Sequence, residues 1–355
     1  MSQDNIFENR EWQPSGNDGK FDDLIVRDAK RSFSRFFLAI FVFLLVANVA
    51  VLITTNVMTL VMGLEEYQAF VESSPFFELL LSSVSLYLIA LPVLYLIVKP
   101  IKTRKREKRK LPLLELFHAF LVAEAFMIVG NLLGQSVTTS ISSFFGIEIN
   151  DLTSDIILKA PIWLIFVLVV VVGPLVEEFI FRKLMIDKLS RFGDSSAIIV
   201  SAIAFGLFHG NFYQFFYATL LGLLLGYVYA KSGKLIYTAV LHGIINFIGS
   251  IVTIPLLKYQ EILLSGAMPE TGAELRESFI ATMAIGSYSV LEYAAVISGI
   301  VIFINAIRYR TINVNRTAEL KIPEGKTAGS VIFNTGAILY IVFSLFTFAL
   351  SILLG

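Results

Sequence analysis

The feature that most constrains this chain is the recurrence of long apolar stretches. Nine run close to or beyond the roughly 20 residues that a helix needs to cross a bilayer, at about 36–63, 79–98, 113–142, 158–181, 195–210, 212–230, 235–257, 280–307 and 331–354. Inside hydrocarbon every backbone N–H and C=O has to find its partner within the protein, so stretches of this length are expected as helices. Composition agrees: 56% of residues are hydrophobic and 16% charged, against about 25% charged in an ordinary soluble domain. The expected fold is all-α, a polytopic membrane helix bundle of about eight or nine transmembrane helices, with the lipid bilayer as its surroundings.

The connections alternate in charge. Residues 99–110 (KPIKTRKREKRK) are dominated by Lys and Arg, and the turn after the fourth stretch carries Arg182, Lys183, Lys188 and Arg191. Lys231 and Lys234 follow the sixth, and Arg308 and Arg310 end the eighth. The opposite loops are acidic, with Glu65, Glu66, Glu72 and Glu78, then Glu148, Asp151 and Asp155, then Glu261, Glu270, Glu274 and Glu277. An excess of Lys and Arg marks the cytoplasmic side, so the N-terminus is expected inside. Residues 1–35 are polar and of mixed charge, without the basic start and short apolar core of a secretory signal. They read as a cytoplasmic tail. The expected organisation is a tail over 1–35, N-terminal transmembrane helices over 36–150, a core carrying the chemistry over 151–255 and C-terminal transmembrane helices over 256–355. The basic run 102–110 sets topology, with contact to anionic lipid as the other reading.

The chain has no cysteine, which removes disulfides, thiolate ligands, a cysteine nucleophile and cysteine-linked lipid anchors. No Gly-rich phosphate loop and no nucleic-acid module appears, so no nucleic-acid partner is expected. Imidazole chemistry is limited to three histidines, His118, His209 and His242.

Ionisable groups within apolar spans are costly and mark function by default. The fourth stretch ends in VGPLVEEFIFR, which places Pro174 just before Glu177 and Glu178. Adjacent residues point about 100° apart on a helix, whereas Glu178 and Arg182, four apart, share a face and suit an ion pair. Glu177 then points elsewhere, toward a neighbouring helix or a cavity. The competing reading is a helix end reaching the interface. His209 closes the short fifth stretch in AFGLFHGNF, one turn after Phe205; it reads either as a site residue or as an imidazole satisfied by a carbonyl at a turn. His242 and Asn246 are four apart in LHGIINF and stack on one face, available to a reacting centre or to a neighbouring helix. His118 is expected at the interface. Glu124 and Glu292 lie deeper, without assigned chemistry.

Together these residues supply the parts for hydrolysing an amide without a covalent nucleophile. A carboxylate takes a proton from water, an imidazole holds that water, and a second imidazole with an amide donates to an oxyanion. By residue type Glu177, His209 and His242 also suit zinc, so a divalent metal stays open and no cofactor is fixed. The chain has no H-E-x-x-H, no G-x-G-D and no G-x-S-x-G.

The three segments resemble the motifs of the CAAX-protease and bacteriocin-processing family of intramembrane proteases: E-E-x-x-x-R, F-x-x-x-H and H-x-x-x-N or H-x-x-x-D. They stand here as Glu177-Glu178-Phe179-Ile180-Phe181-Arg182, Phe205-Gly206-Leu207-Phe208-His209 and His242-Gly243-Ile244-Ile245-Asn246. The resemblance covers roughly 155–250. It implies an endopeptidase of the bacterial plasma membrane acting on a peptide or membrane-protein substrate. It further implies that Glu177 activates water beside His209, that Glu178 and Arg182 form an orienting pair, and that His242 and Asn246 stabilise the oxyanion. A non-catalytic scaffold or bacteriocin-immunity protein on the same fold is the alternative. A secondary transporter would require repeated halves, each with a broken helix, and polar interruption occurs only around 173–210.

Overall fold

A computed structural model describes residues 19–74, 76–147, 149, 160–264, 271–314 and 318–354, and every regular element among them is helical. In chain order the helices are α1 Gly19–Met62, α2 Leu64–Ser73, α3 Phe77–Val98, α4 Leu113–Phe145, α5 Ile162–Phe192, α6 Asp194–Phe208, α7 Phe212–Ser232, α8 Leu235–Leu257, α9 Gly272–Arg308, α10 Thr327–Val331 and α11 Thr335–Leu354. All but α2, α6 and α10 are long and apolar enough to span a membrane, giving eight candidate spans among the described residues. The protein is thus an all-α polytopic membrane bundle. The ninth stretch, 195–210, becomes α6, whose 15 residues amount to about 22 Å of helix. The loop acids Glu148, Asp151, Asp155 and Glu270 lie outside the described residues.

The first helix starts at Gly19, well before the apolar stretch. The polar segment expected as a tail conceals an amphipathic pattern. Ile25, Ala29, Phe33, Phe36 and Ile40 recur every three to four residues and are buried, the spacing of one helical face. That face meets the ends of α5 and α11: Phe33 lies 5.9 Å from Phe192, Phe37 stacks on Tyr340 at 5.9 Å, and Arg191 reaches Asp28 at 3.4 Å. Charge on the outer face masked the helix from a reading by composition.

The basic segment after α3 is a structural strap as well as a charge marker. Its backbone runs over the ends of α5 and α7, with Arg104 N–H donating to the Asp187 carbonyl at 2.8 Å and Arg109 N–H to the Ser232 carbonyl at 2.7 Å. The Arg106 guanidinium is buried between the carboxylates of Asp187, at 3.0 Å, and Asp194. Tyr229 donates to the same Asp187 oxygen at 3.1 Å. Lys188 reaches back to the Ile101 carbonyl at 2.8 Å. Lys188 is buried for this reason, and Arg191 by its pairing with Asp28 and Glu319. Arg182, expected beside them, lies a full turn deeper within α5 and is completely buried.

Three helices contain π-helical turns: Ser85–Ala90 in α3, Phe166–Val172 and Phe179–Ile186 in α5, and Ile248–Val252 toward the end of α8. Such turns are rare and concentrate at functional sites. The two in α5 flank the segment Gly173–Glu178, so the helix bearing the paired glutamates is wound irregularly on both sides of them.

Candidate active site

Pro174 begins the local logic of the site. It has no N–H, and the Gly173 N–H donates to the Leu168 carbonyl, one residue further back than in a regular α-helix. The Val169 carbonyl thereby loses both of its ordinary donors. The side-chain amide of Asn246 on α8 takes their place, donating to it at 2.9 Å. Gly243, one turn earlier on α8, permits the approach: a Cβ there would lie 2.8 Å from the Val170 carbonyl oxygen. The break in α5 and the small residue on α8 together lock these two helices at close range, which places His242 against the glutamates.

Glu178 and Arg182 form the expected pair, bidentate at 2.9 and 3.2 Å, with both side chains fully buried. A buried charge pair holds only when its remaining hydrogen-bonding capacity is met. Arg182 donates also to Ser201 Oγ of α6 at 3.0 Å, and Ser201 donates in turn to the Phe181 carbonyl at 2.7 Å. The guanidinium lies over the Phe205 ring, 5.1 Å from its centroid. Glu178 completes its coordination with His242, whose Nδ1 is 3.2 Å from Oε1. A carboxylate at that distance accepts from Nδ1–H, so Nε2 is the nitrogen turned toward the rest of the site.

Glu177 keeps clear of this network. Its Oε2 faces His242 Nε2 across 3.7 Å, and its side chain retains 18% exposure where that of Glu178 has none. The 100° offset of adjacent residues therefore separates one carboxylate locked in an ion pair from one that borders open space.

His209 stands at the end of α6. Its Nδ1–H donates to the Phe205 carbonyl at 2.9 Å, as one reading of the sequence had it, and this fixes the tautomer: Nε2 carries the lone pair. The Phe205 ring packs edge-to-face against both imidazoles, with centroids 4.9 Å from His209 and 5.6 Å from His242. Gly206, the next residue, is required where α6 crosses α7, since a Cβ there would meet Thr219 and the Phe215 carbonyl at 2.0 and 2.8 Å. His242 and His209 thus gather around Phe205, with Glu177 beside His242 at 3.7 Å. Asn246 is held one turn beyond, with an amide N–H committed to backbone.

The donors do not fit a metal. Among the described residues no group of three or more His, Asp or Glu side chains is arranged to hold one, and Glu177, His209 and His242 do not converge into a three-ligand set. The other intramembrane candidates lie apart from this centre. His118 lines a separate cavity of about 510 Å³ between α4, α7 and α9, whose mouth carries the Glu115–Lys231 pair at 2.6 Å. Glu124 and Glu292 interact across α4 and α9, and Glu124 Oε1 is buried without a hydrogen-bond partner among the described residues.

Two residues at the site escaped the sequence reading. Ser201 is a small hydroxyl in an apolar helix, a pattern more common as a helix-packing contact. Tyr87 of α3 points its hydroxyl toward the site near Gly173, and an aromatic residue in a membrane span carries no distinguishing signal.

Fold and site together define a membrane-embedded helical bundle with two adjacent glutamates, one buried and one partly exposed, beside two imidazoles that pack on one phenylalanine. Residues 159–248 match the family described as type II CAAX prenyl endopeptidase Rce1-like, the segment that contains every motif of the resemblance drawn from the sequence, which is thereby borne out. The chain is also 25% identical over 131 residues to the UPF0177 protein YxdF of Lactococcus lactis subsp. lactis (strain IL1403), a stretch covering 37% of this chain and 70% of that protein. No solved structure matches.

Proposed function

We propose that this chain is an intramembrane endopeptidase that hydrolyses a peptide bond of a membrane-associated protein or peptide with water activated by Glu177. The carrying observation is the division of labour between the adjacent glutamates: Glu178 is locked to Arg182 and His242, while Glu177 has no Lys or Arg partner among the described residues and keeps 18% side-chain exposure. The match to an endopeptidase family supports the same reading.

In this mechanism Glu177 removes a proton from a water molecule held also by the free Nε2 of His209. The resulting hydroxide adds to the carbonyl carbon of the substrate, and the carbonyl π electrons move onto oxygen. His242, gripped through Nδ1–H by Glu178, acts here with a proton on both ring nitrogens: Nε2–H donates to the oxyanion, and the imidazole keeps that proton when the oxyanion collapses. The C–N bond then breaks, the carbonyl re-forms, and the proton held by Glu177 passes to the departing amine. One water is consumed, and the products are a carboxylic acid and an amine. Glu178 and Arg182 act as positioning residues. No step passes through a metal.

The charge pattern of the connections supports an orientation with the N-terminus and the 99–112 strap on the cytoplasmic side, and we place the protein in a bacterial plasma membrane. The test is hydrolysis of a prenylated, internally quenched CAAX peptide by protein purified into lipid nanodiscs, with and without a strong chelator. Activity lost in Glu177→Gln and indifferent to the chelator supports the proposal. Full activity in Glu177→Gln overturns the catalytic assignment. Loss to the chelator with recovery on added zinc replaces it by a metal mechanism. No hydrolysis by the wild type, with its cellular phenotype kept in Glu177→Gln, returns the reading to a membrane scaffold.

A further inference from the structure

Oxyanions in acyl transfer are commonly held by more than one preorganised donor. At this site His242 supplies one, and Asn246 is the residue that the motifs offer as the second. Its amide donates one N–H to the Val169 carbonyl at 2.9 Å, the acceptor that Pro174 and the π turn leave without a backbone donor. That bond joins α8 to α5 and leaves Asn246 a single N–H for the reacting centre.

Tyr87 brings a further hydroxyl to the same centre. It lies within the π turn Ser85–Ala90 of α3, an irregularity that rotates side chains away from their places on a regular α-helix. Its hydroxyl lies 3.3 Å from the position a Cβ would take on Gly173, and Glu177 Oε1 lies 3.8 Å from the same point. The two oxygens thus border one small space, kept open because residue 173 has no side chain. The hydroxyl makes no hydrogen bond within the described residues. Tyr95, two turns further along α3, is by contrast 44% exposed on the bundle's surface.

We infer that Tyr87 is a further catalytic residue, its hydroxyl donating to the carbonyl oxygen of the scissile bond as that oxygen becomes negative. The inference rests on the proteolytic reading above. A phenol serves the role well: it stays neutral at ordinary pH, keeps its proton available for donation and occupies a rigid ring with few rotatable bonds. Gly173 belongs to the same arrangement, because a methyl group there would fill the space in which hydroxyl and substrate meet.

The experiment compares wild type, Tyr87→Phe, Tyr95→Phe and Glu177→Gln in nanodiscs on the prenylated quenched CAAX peptide, with thermal unfolding measured for each. Removal of one oxyanion donor lowers turnover about 10²–10³-fold. Tyr87→Phe is expected to lose kcat in that range with KM and unfolding temperature close to wild type, while Tyr95→Phe keeps full activity. Gly173→Ala is expected to lower kcat through the same space. Normal kcat in Tyr87→Phe alongside an inactive Glu177→Gln overturns the role of Tyr87 and leaves the glutamate mechanism standing. A fall in unfolding temperature with kcat unchanged assigns Tyr87 to packing and also overturns it. An active Glu177→Gln, or a wild type that leaves the peptide intact, brings down the underlying proteolytic reading instead.

Discussion

Glu177 and Glu178, neighbours in the chain, face opposite nitrogens of one imidazole: Glu178 Oε1 is 3.2 Å from His242 Nδ1 and Glu177 Oε2 is 3.7 Å from Nε2. The turn of the helix between them makes two chemically identical groups unequal. One carboxylate closes a buried ion pair, and the other stays outside that pair and partly exposed.

That inequality gives the first prediction. Glu177→Gln keeps size and packing and removes the base, so hydrolysis falls by about 10²–10⁴-fold while protein level stays normal. Glu178→Gln leaves the buried Arg182 without its counter-charge and lowers protein level together with activity. Rates on the quenched peptide and membrane-fraction immunoblots separate the two outcomes.

Arg182→Ala probes the same pair from the other side. It strands a carboxylate with no exposure, and breaking a buried pair by removing one partner costs about 3–5 kcal/mol. We expect a marked drop in unfolding temperature and in accumulated protein. An unfolding temperature equal to that of wild type would contradict the structure.

Gly243→Ala tests the locking of α8 on α5. The added methyl would meet the Val170 carbonyl oxygen at 2.8 Å, and a backbone oxygen cannot swing aside as a flexible side chain does. The helices separate by a few tenths of an ångström, His242 shifts relative to Glu177, and misplacement on the scale of an ångström costs on the order of 10²-fold in rate. Activity is expected to fall about 10-fold or more with the protein still accumulating. Normal kinetics would show that the approach of α8 does not set the site.

The strap predicts a contrast between neighbouring basic residues. Arg106→Ala removes the guanidinium shared by Asp187 and Asp194, each with 1% side-chain exposure, leaving Asp187 to Lys183 and Tyr229 and Asp194 to Arg104 at 3.8 Å, and is expected to destabilise the protein by roughly 3 kcal/mol. Lys105→Ala, at an exposed position, is expected to change stability by no more than about 0.5 kcal/mol. Limited proteolysis of the 99–112 segment reports both.

Orientation is tested in the same segment. The chain has no cysteine, so Lys105→Cys introduces a single thiol. We expect no labelling by an impermeant reagent added outside intact cells and full labelling after permeabilisation. External labelling would invert the topology.

The sequence by itself determined the membrane bundle, because uncharged stretches of about 20 residues have no other stable form in water or lipid. It also marked Glu177, Glu178, Arg182, His209, His242 and Asn246, since polar groups among apolar neighbours stand out by their cost. The Glu178–Arg182 pair followed from a spacing of four, and the divergence of Glu177 from a spacing of one. The tertiary structure decided what depends on contacts between distant segments. It turned a basic loop into a strap by burying Arg106 between Asp187 and Asp194, and it began the first helix at Gly19 by packing a stripe that composition hides. It directed Asn246 to the Val169 carbonyl, because the donors missing there are missing from another helix. It brought Tyr87 beside the glutamate through a π turn, a change of winding that no local pattern of residue types records. Periodicity tells which face of a helix a residue occupies; what that face meets is fixed only when the helices pack.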